Sequence, residues 1–121
     1  MNITIISVGK IKEAFYRDAV SEYAKRLSKY CKFTVIEVPD EKTPDKSSEA
    51  LNEQIKKKEA DAILRFARDD AYVMTLEING TRMNSEQFAD KIESLSINGV
   101  SHIMFVIGGS LGLHESVTKK A

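Results

Sequence analysis

Cysteine is almost missing from this chain: Cys31 is the sole thiol. One thiol can form neither an internal disulfide nor a cysteine cluster for a metal, and it suits a reducing, cytoplasmic setting. Net charge is missing too, with 18 basic side chains against 18 acidic ones. That balance argues against a bulk electrostatic hold on nucleic acid, although it leaves room for a local basic patch. Long apolar runs are absent. The run Ile3–Val8 is far too short for a membrane span, and it lacks the basic flank and cleavage site of a signal peptide. No membrane association is expected, and the run reads as a first strand. Histidine is scarce, with only His102 and His114. No Ser-His-Asp or Cys-His arrangement can be assembled from them.

What is present suits one domain over residues 1–121. Apolar residues make up 42% of the chain. A chain of this length buries roughly two thirds of its unfolded surface. NITIISV, from Asn2 to Val8, is β-branched and short, with Gly9 as its turn. From Lys12 to Tyr30 the period becomes helical, and Phe15, Ala19, Tyr23, Leu27 and Tyr30 form one apolar stripe. FTVIEV, from Phe33 to Val38, returns to strand character, and Pro39 ends it. Asp40 to Ser47 is polar and holds Pro44, as a loop does. A second helix is predicted from about Ser48, with Leu51, Ile55, Ile63 and Phe66 inward and Lys56, Lys57 and Lys58 outward.

Ala71–Ile78 reads as a third strand, and Asn79-Gly80 as a tight turn. Asn84 and Gln87 have capping-box spacing, with Met83 and Phe88 placed for a hydrophobic staple. They open a third helix carrying Phe88, Ile92 and Leu95, which Asn98-Gly99 closes. Ser101–Ile107 is a fourth strand, followed by a glycine loop and a helix opening at His114. The alternation predicts an α/β fold: a mostly parallel sheet with helices on both faces. Ligands in such folds sit outside the carboxyl ends of the strands. The loops at Leu76–Gly80 and Gly108–Gly112 lie at such ends.

The stretch MFVIGGSLGLH, from Met104 to His114, runs a strand into a loop nearly bare of side chains. A tight strand-to-helix turn explains it in the plainest way. A phosphate loop is disfavoured, because no lysine follows these glycines until Lys119. A dinucleotide fingerprint belongs after the first strand, where only Gly9 stands. A receiver-like phosphoacceptor needs acids where the chain has Ser7, Gly9, Lys10 and Leu76. What remains is a backbone able to lie against a flat or extended ligand. His102 falls away from that end of the sheet, and His114 suits a helix cap. Lys10, Lys12, Arg17, Lys25, Arg26, Lys29 and Lys32 cluster around the first helix as a possible RNA-facing patch, diluted by Glu13, Asp18 and Glu22.

Four strings carry a resemblance over nearly the whole chain: NITIISVGKIKEAFYRDAVSEYAKRL, VIEVPDEK, VMTLEING and FVIGGSLGLH. Together they resemble the bacterial large-subunit rRNA methyltransferase H family, within the knotted SPOUT methyltransferases. The resemblance implies a trefoil-knot methyltransferase fold. It implies methyl transfer from S-adenosyl-L-methionine to N3 of a pseudouridine in 23S rRNA, within the assembled ribosome. It also implies a homodimer and no metal. Carried over residue by residue, the family's cofactor contact in the T-L-E-I-x-G strand end falls on Leu76. Its contact in the first glycine of V-I-G-G falls on Gly108. No catalytic residue is assigned, and Glu77, Arg82 and His114 are expected to be structural.

Family members run several tens of residues beyond the point matching Ala121. That segment supplies a last strand, a cofactor loop with a Met-Thr-x-Pro-His type string, a basic helix and a terminal Tyr-His pair. The expectation is therefore an incomplete, C-terminally truncated SPOUT domain lacking its knot segment. It would have a partial cofactor wall, doubtful turnover and an apolar surface exposed on the sheet and the first helix. The lost basic helix would account for the neutral charge. A non-catalytic module that self-associates or binds the ribosome is the alternative.

Overall fold

Residues 1–44 and 46–121 are described by the computed structural model. Asp45, in the loop expected from Asp40 to Ser47, lies outside the described residues. The elements run β1 (Asn2–Val8), α1 (Ala14–Leu27), β2 (Lys32–Val38), α2 (Glu49–Leu64), β3 (Tyr72–Leu76), α3 (Ser85–Ile97), β4 (His102–Ile107) and α4 (Glu115–Thr118). The strands form one four-stranded sheet in the order β2-β1-β4-β3. Every pairing is parallel, so all four carboxyl ends lie along one edge.

Alternation along the strands divides the core between the two faces. Ile6, Val38, Val73, Met104 and Val106 turn to one face, where Ala60 and Ile63 of α2 and Val117 of α4 cover them. Ile3, Ile5, Met74, Ile103 and Phe105 turn to the other, against Ile92 and Leu95 of α3. β4 is buried from His102 to Val106, as a central parallel strand covered on both faces must be. Helices on both faces of a parallel sheet are the predicted α/β arrangement.

Helix ends follow local chemistry. Ser48 caps α2 by accepting from the Leu51 amide at 3.1 Å. Asn84 and Gln87 form the expected capping box on α3, with reciprocal bonds of 2.8 and 2.9 Å. Gly99, at φ +91, takes the left-handed conformation that ends α3.

Three expectations are corrected. The first helix is shorter than Lys12–Tyr30, because the chain turns at Ser28, whose hydroxyl donates to the Lys25 carbonyl at 2.6 Å. Phe66 falls beyond the end of α2 and is 45% exposed rather than inward. Lys56 is not a solvated lysine: its stem is largely covered, and its ammonium meets Glu53 at 2.7 Å.

The apolar stripe of α1 exists but is left largely uncovered. No residue of α1 is buried, and Phe15 and Tyr23 are 66% and 64% exposed. Between α1 and α3 an apolar groove of about 420 Å³ runs over Ile3, Ile5 and Phe105. This is the exposed apolar surface on the sheet and first helix that the sequence led us to expect.

Candidate functional site

The parallel register sets the site. Leu76 ends β3 directly opposite Ile107 at the end of β4, so Gly108 follows in the adjacent position. β3 is an edge strand, and one row of its backbone groups therefore has no strand partner. The Leu76 side chain is 53% exposed and, with Ile107, lines the groove between α1 and α3. Beyond Leu76 the chain turns through Ile78 and Asn79, and the Gly80 amide donates to the Glu77 carbonyl at 3.2 Å. The Thr75 hydroxyl donates to the Glu77 carboxylate at 2.8 Å.

The glycine loop folds back on itself. Gly109 and Gly112 form an isolated antiparallel bridge, and the Gly112 amide donates to the Gly109 carbonyl at 3.0 Å. The chain's own packing already crowds two of the glycines. A Cβ on Gly108 would lie 2.9 Å from Cδ2 of Leu113 and 3.1 Å from the Gly112 carbonyl carbon. A Cβ on Gly109 would lie 3.2 Å from both Glu59 Oε1 and Val8 Cγ1. The bareness of this loop is thus in part an internal matter, and is not by itself the mark of a ligand.

Across the same edge, Gly9 ends β1 and its amide donates to the Val38 carbonyl at 2.9 Å. A cleft of about 480 Å³ opens there between Gly9, Lys10 and Lys12 on one side and Glu37, Pro39 and Asp40 on the other. These two lysines are the members of the basic cluster nearest the strand ends. Arg26, further along α1, meets Glu22 at 3.2 Å and lies over the Tyr23 ring.

The remaining candidates fall where the sequence put them. His102 is buried at the amino edge, opposite the cleft, with its Nε2 2.9 Å from the Thr4 hydroxyl. His114 is the N-cap of α4, where Nδ1 accepts from the Ser116 amide at 3.1 Å. Its Nε2 lies 3.7 Å from Glu53. The Glu53 carboxyl titrates below its ordinary value, chiefly through its hydrogen bond to Lys56, with His114 a minor contributor. Glu77 and Arg82 are exposed. Among the described residues, no three His, Cys, Asp or Glu side chains converge as metal ligands.

One residue escaped the sequence reading. Glu59 is a buried acid at this edge, 5% exposed. Its Oε2 accepts from the Glu41 amide at 3.1 Å. Burial first, and then its contact with Asp40, raise its carboxyl above the ordinary 4.5. The signal lay in the sequence: Glu59 stands four residues after Ile55 and four before Ile63, on the inward stripe of its helix.

This parallel sheet, with Leu76 and Gly108 abutting at its carboxyl edge, belongs to a chain that matches known proteins throughout. The family described as "Predicted SPOUT methyltransferase" matches residues 1–121. The chain belongs to the SPOUT methyltransferase family. Three similar proteins carry the name "Ribosomal RNA large subunit methyltransferase H". Those of Bifidobacterium adolescentis, Bifidobacterium animalis subsp. lactis and Clostridium botulinum are 52%, 54% and 54% identical over 121 residues. Each alignment takes in the whole of this chain and 76% of the relative. Among the described residues, no helix is long and apolar enough to cross a membrane.

Proposed function

We propose that this protein is a methyltransferase of large-subunit ribosomal RNA that uses S-adenosyl-L-methionine to methylate N3 of a pseudouridine in 23S rRNA. In this reading it works in the cytoplasm, on the assembled ribosome, as a homodimer. The observation that carries the reading is the β3–β4 register, which sets the end of Leu76 beside Gly108 at the carboxyl edge, in a chain of SPOUT sequence.

The residues at that edge fit the methyl donor chemically. Leu76 and Ile107 offer apolar surface for an uncharged adenine. The free side of β3 and the backbone at Gly108 offer hydrogen-bonding groups at close range. No lysine or arginine belongs to Leu76–Gly80 or Gly108–Gly112, so nothing in these segments repels a sulfonium. When bound, S-adenosyl-L-methionine supplies an electrophilic methyl group on that sulfonium. Leu76 and Gly108 would hold the donor and fix its direction, and alignment is most of what an in-line displacement requires. Neither brings a group that accepts the N3 proton, so their part is binding and orientation. Lys10 and Lys12, in the neighbouring cleft, suit the phosphates of an RNA segment. The unfilled groove along α1 suits the apolar face of a second copy.

The test is calorimetric titration with S-adenosyl-L-methionine, followed by transfer of labelled methyl from it to ribosomes. The wild-type chain should bind the donor; label arriving in 23S rRNA would show that the chain also turns over, and binding without label that it grips the donor without turnover. Leu76→Arg, at a half-exposed position, should weaken binding at least about tenfold by crowding the site and repelling the sulfonium. Donor affinity equal to wild type in that variant would remove Leu76 from the site.

A further inference from the structure

Glu59 stands where its helix calls for an apolar residue. A carboxyl there forgoes the hydration that a leucine would not need, so it must do something that a leucine cannot. Its carboxylate bonds one loop and lies close to a second. Oε2 accepts from the Glu41 amide in the loop after β2. Both oxygens occupy the space that a side chain at position 109 would need, at 3.2 and 3.3 Å from a Cβ there. Val8, at the end of β1, closes the same pocket.

We propose that Glu59 is a positioning residue: from α2 it sets Gly109, and through it Gly108, together with the Asp40–Glu41 loop, and so fixes the shape of the donor-binding edge. This rests on the reading of Gly108 as a donor contact.

The charged groups facing Glu59 are both acids, Asp40 and Glu41, from the loop after β2. β1 presents Val8, and the turn after β4 presents glycine backbone. Among the described residues, no lysine, arginine or histidine forms an ion pair with Glu59. Burial and these like charges raise its carboxyl from the ordinary 4.5. The Glu41 amide bond ties the loop to Glu59, and the nearby charges of Asp40 and Glu41 oppose ionisation of its carboxyl. The native chain therefore holds this proton at pH values where the unfolded chain has lost it. The stability this proton contributes is full below pH 4.5 and is lost as pH rises through the raised folded value. Glutamine keeps the shape and the acceptor for Glu41, without the titration.

The test is amide hydrogen exchange on the 121-residue chain, with S-adenosyl-L-methionine affinity as the second readout. Glu59→Ala should lower protection at Glu41 and over residues 109–113 by about tenfold, with α3 unchanged, as expected for a lost buried hydrogen bond. Glu59→Gln should keep the protection that the wild type shows below pH 4.5. After correction for intrinsic exchange, wild-type protection at these amides should fall with rising pH, while that of Glu59→Gln stays level. Donor affinity should drop about tenfold in Glu59→Ala and stay near wild type in Glu59→Gln. Unchanged protection in Glu59→Ala, or parallel pH trends in wild type and Glu59→Gln, would overturn the proposal. Lowered protection with unaltered affinity would also overturn it, leaving Glu59 a structural residue only. Should Glu59→Ala not fold, the pH comparison between wild type and Glu59→Gln decides. Failure of the wild-type chain to bind the donor would strike the reading of Gly108, while the exchange data still decide whether Glu59 holds the loops.

Discussion

Gly108 and Gly109 are neighbours in sequence, yet they are glycine for different reasons. Around Gly108 the obstruction is Leu113 and the Gly112 backbone; around Gly109 it is the Glu59 carboxylate and one methyl of Val8. The contacts at Gly108 close to 2.9 Å and include backbone, whereas none at Gly109 is under 3.2 Å. Gly108→Ala should therefore cost roughly 1–3 kcal/mol by overpacking, and Gly109→Ala less. Leu113→Ala placed in the Gly108→Ala background should return part of that loss, because Leu113 holds the nearest atoms. Urea midpoints read all three effects; equal costs at the two glycines, or no recovery in the double variant, would contradict this packing. At this scale the sequence was half legible. It showed a bare loop, but the close approach of Glu59, fifty residues earlier in the chain, depends on tertiary contact that no local pattern records.

The helices differ in how they are held. α2 and α3 have side-chain caps at Ser48 and Asn84, while α1 begins at Glu13 with no side-chain cap bond. Ser48→Ala and Asn84→Ala should each cost about 1 kcal/mol, since each leaves a helix N–H without its acceptor. Glu13→Ala should stay within about 0.5 kcal/mol. Thermal unfolding in a single buffer ranks the three, and a loss at Glu13 matching that at Asn84 would refute the assignment. Caps and strands were legible because their chemistry lies within a few residues: the Asn84–Gln87 spacing and the β-branched run at Ile3–Val8 each sufficed. The exposure of the α1 stripe was expected from the resemblance and not from its spacing. Spacing shows that Phe15, Tyr23 and Leu27 share a face, but whether that face is covered depends on what packs against it. α1 meets the sheet only along one side of a groove.

For the whole molecule, the strand order brings distant stretches of sequence to one working edge. Leu76 and Gly108 are thirty-two residues apart and are joined by register; Gly9, Asp40 and Glu59 gather beside them through the β2-β1-β4-β3 order. Alternation of strands and helices disclosed the parallel sheet and hence the edge, and the resemblance singled out Leu76 and Gly108. The second cleft at Gly9–Lys12 emerged only from the assembled sheet. The central claim is that the carboxyl edge of β3 and β4 grips the methyl donor. It is tested most directly by following backbone amide resonances of ¹⁵N-labelled protein during titration with S-adenosyl-L-methionine. The largest shifts should fall on Leu76, Glu77 and residues 108–112, with His102 and the amino edge unmoved. Shifts centred on the amino edge, or on α1 away from Leu76, would contradict it.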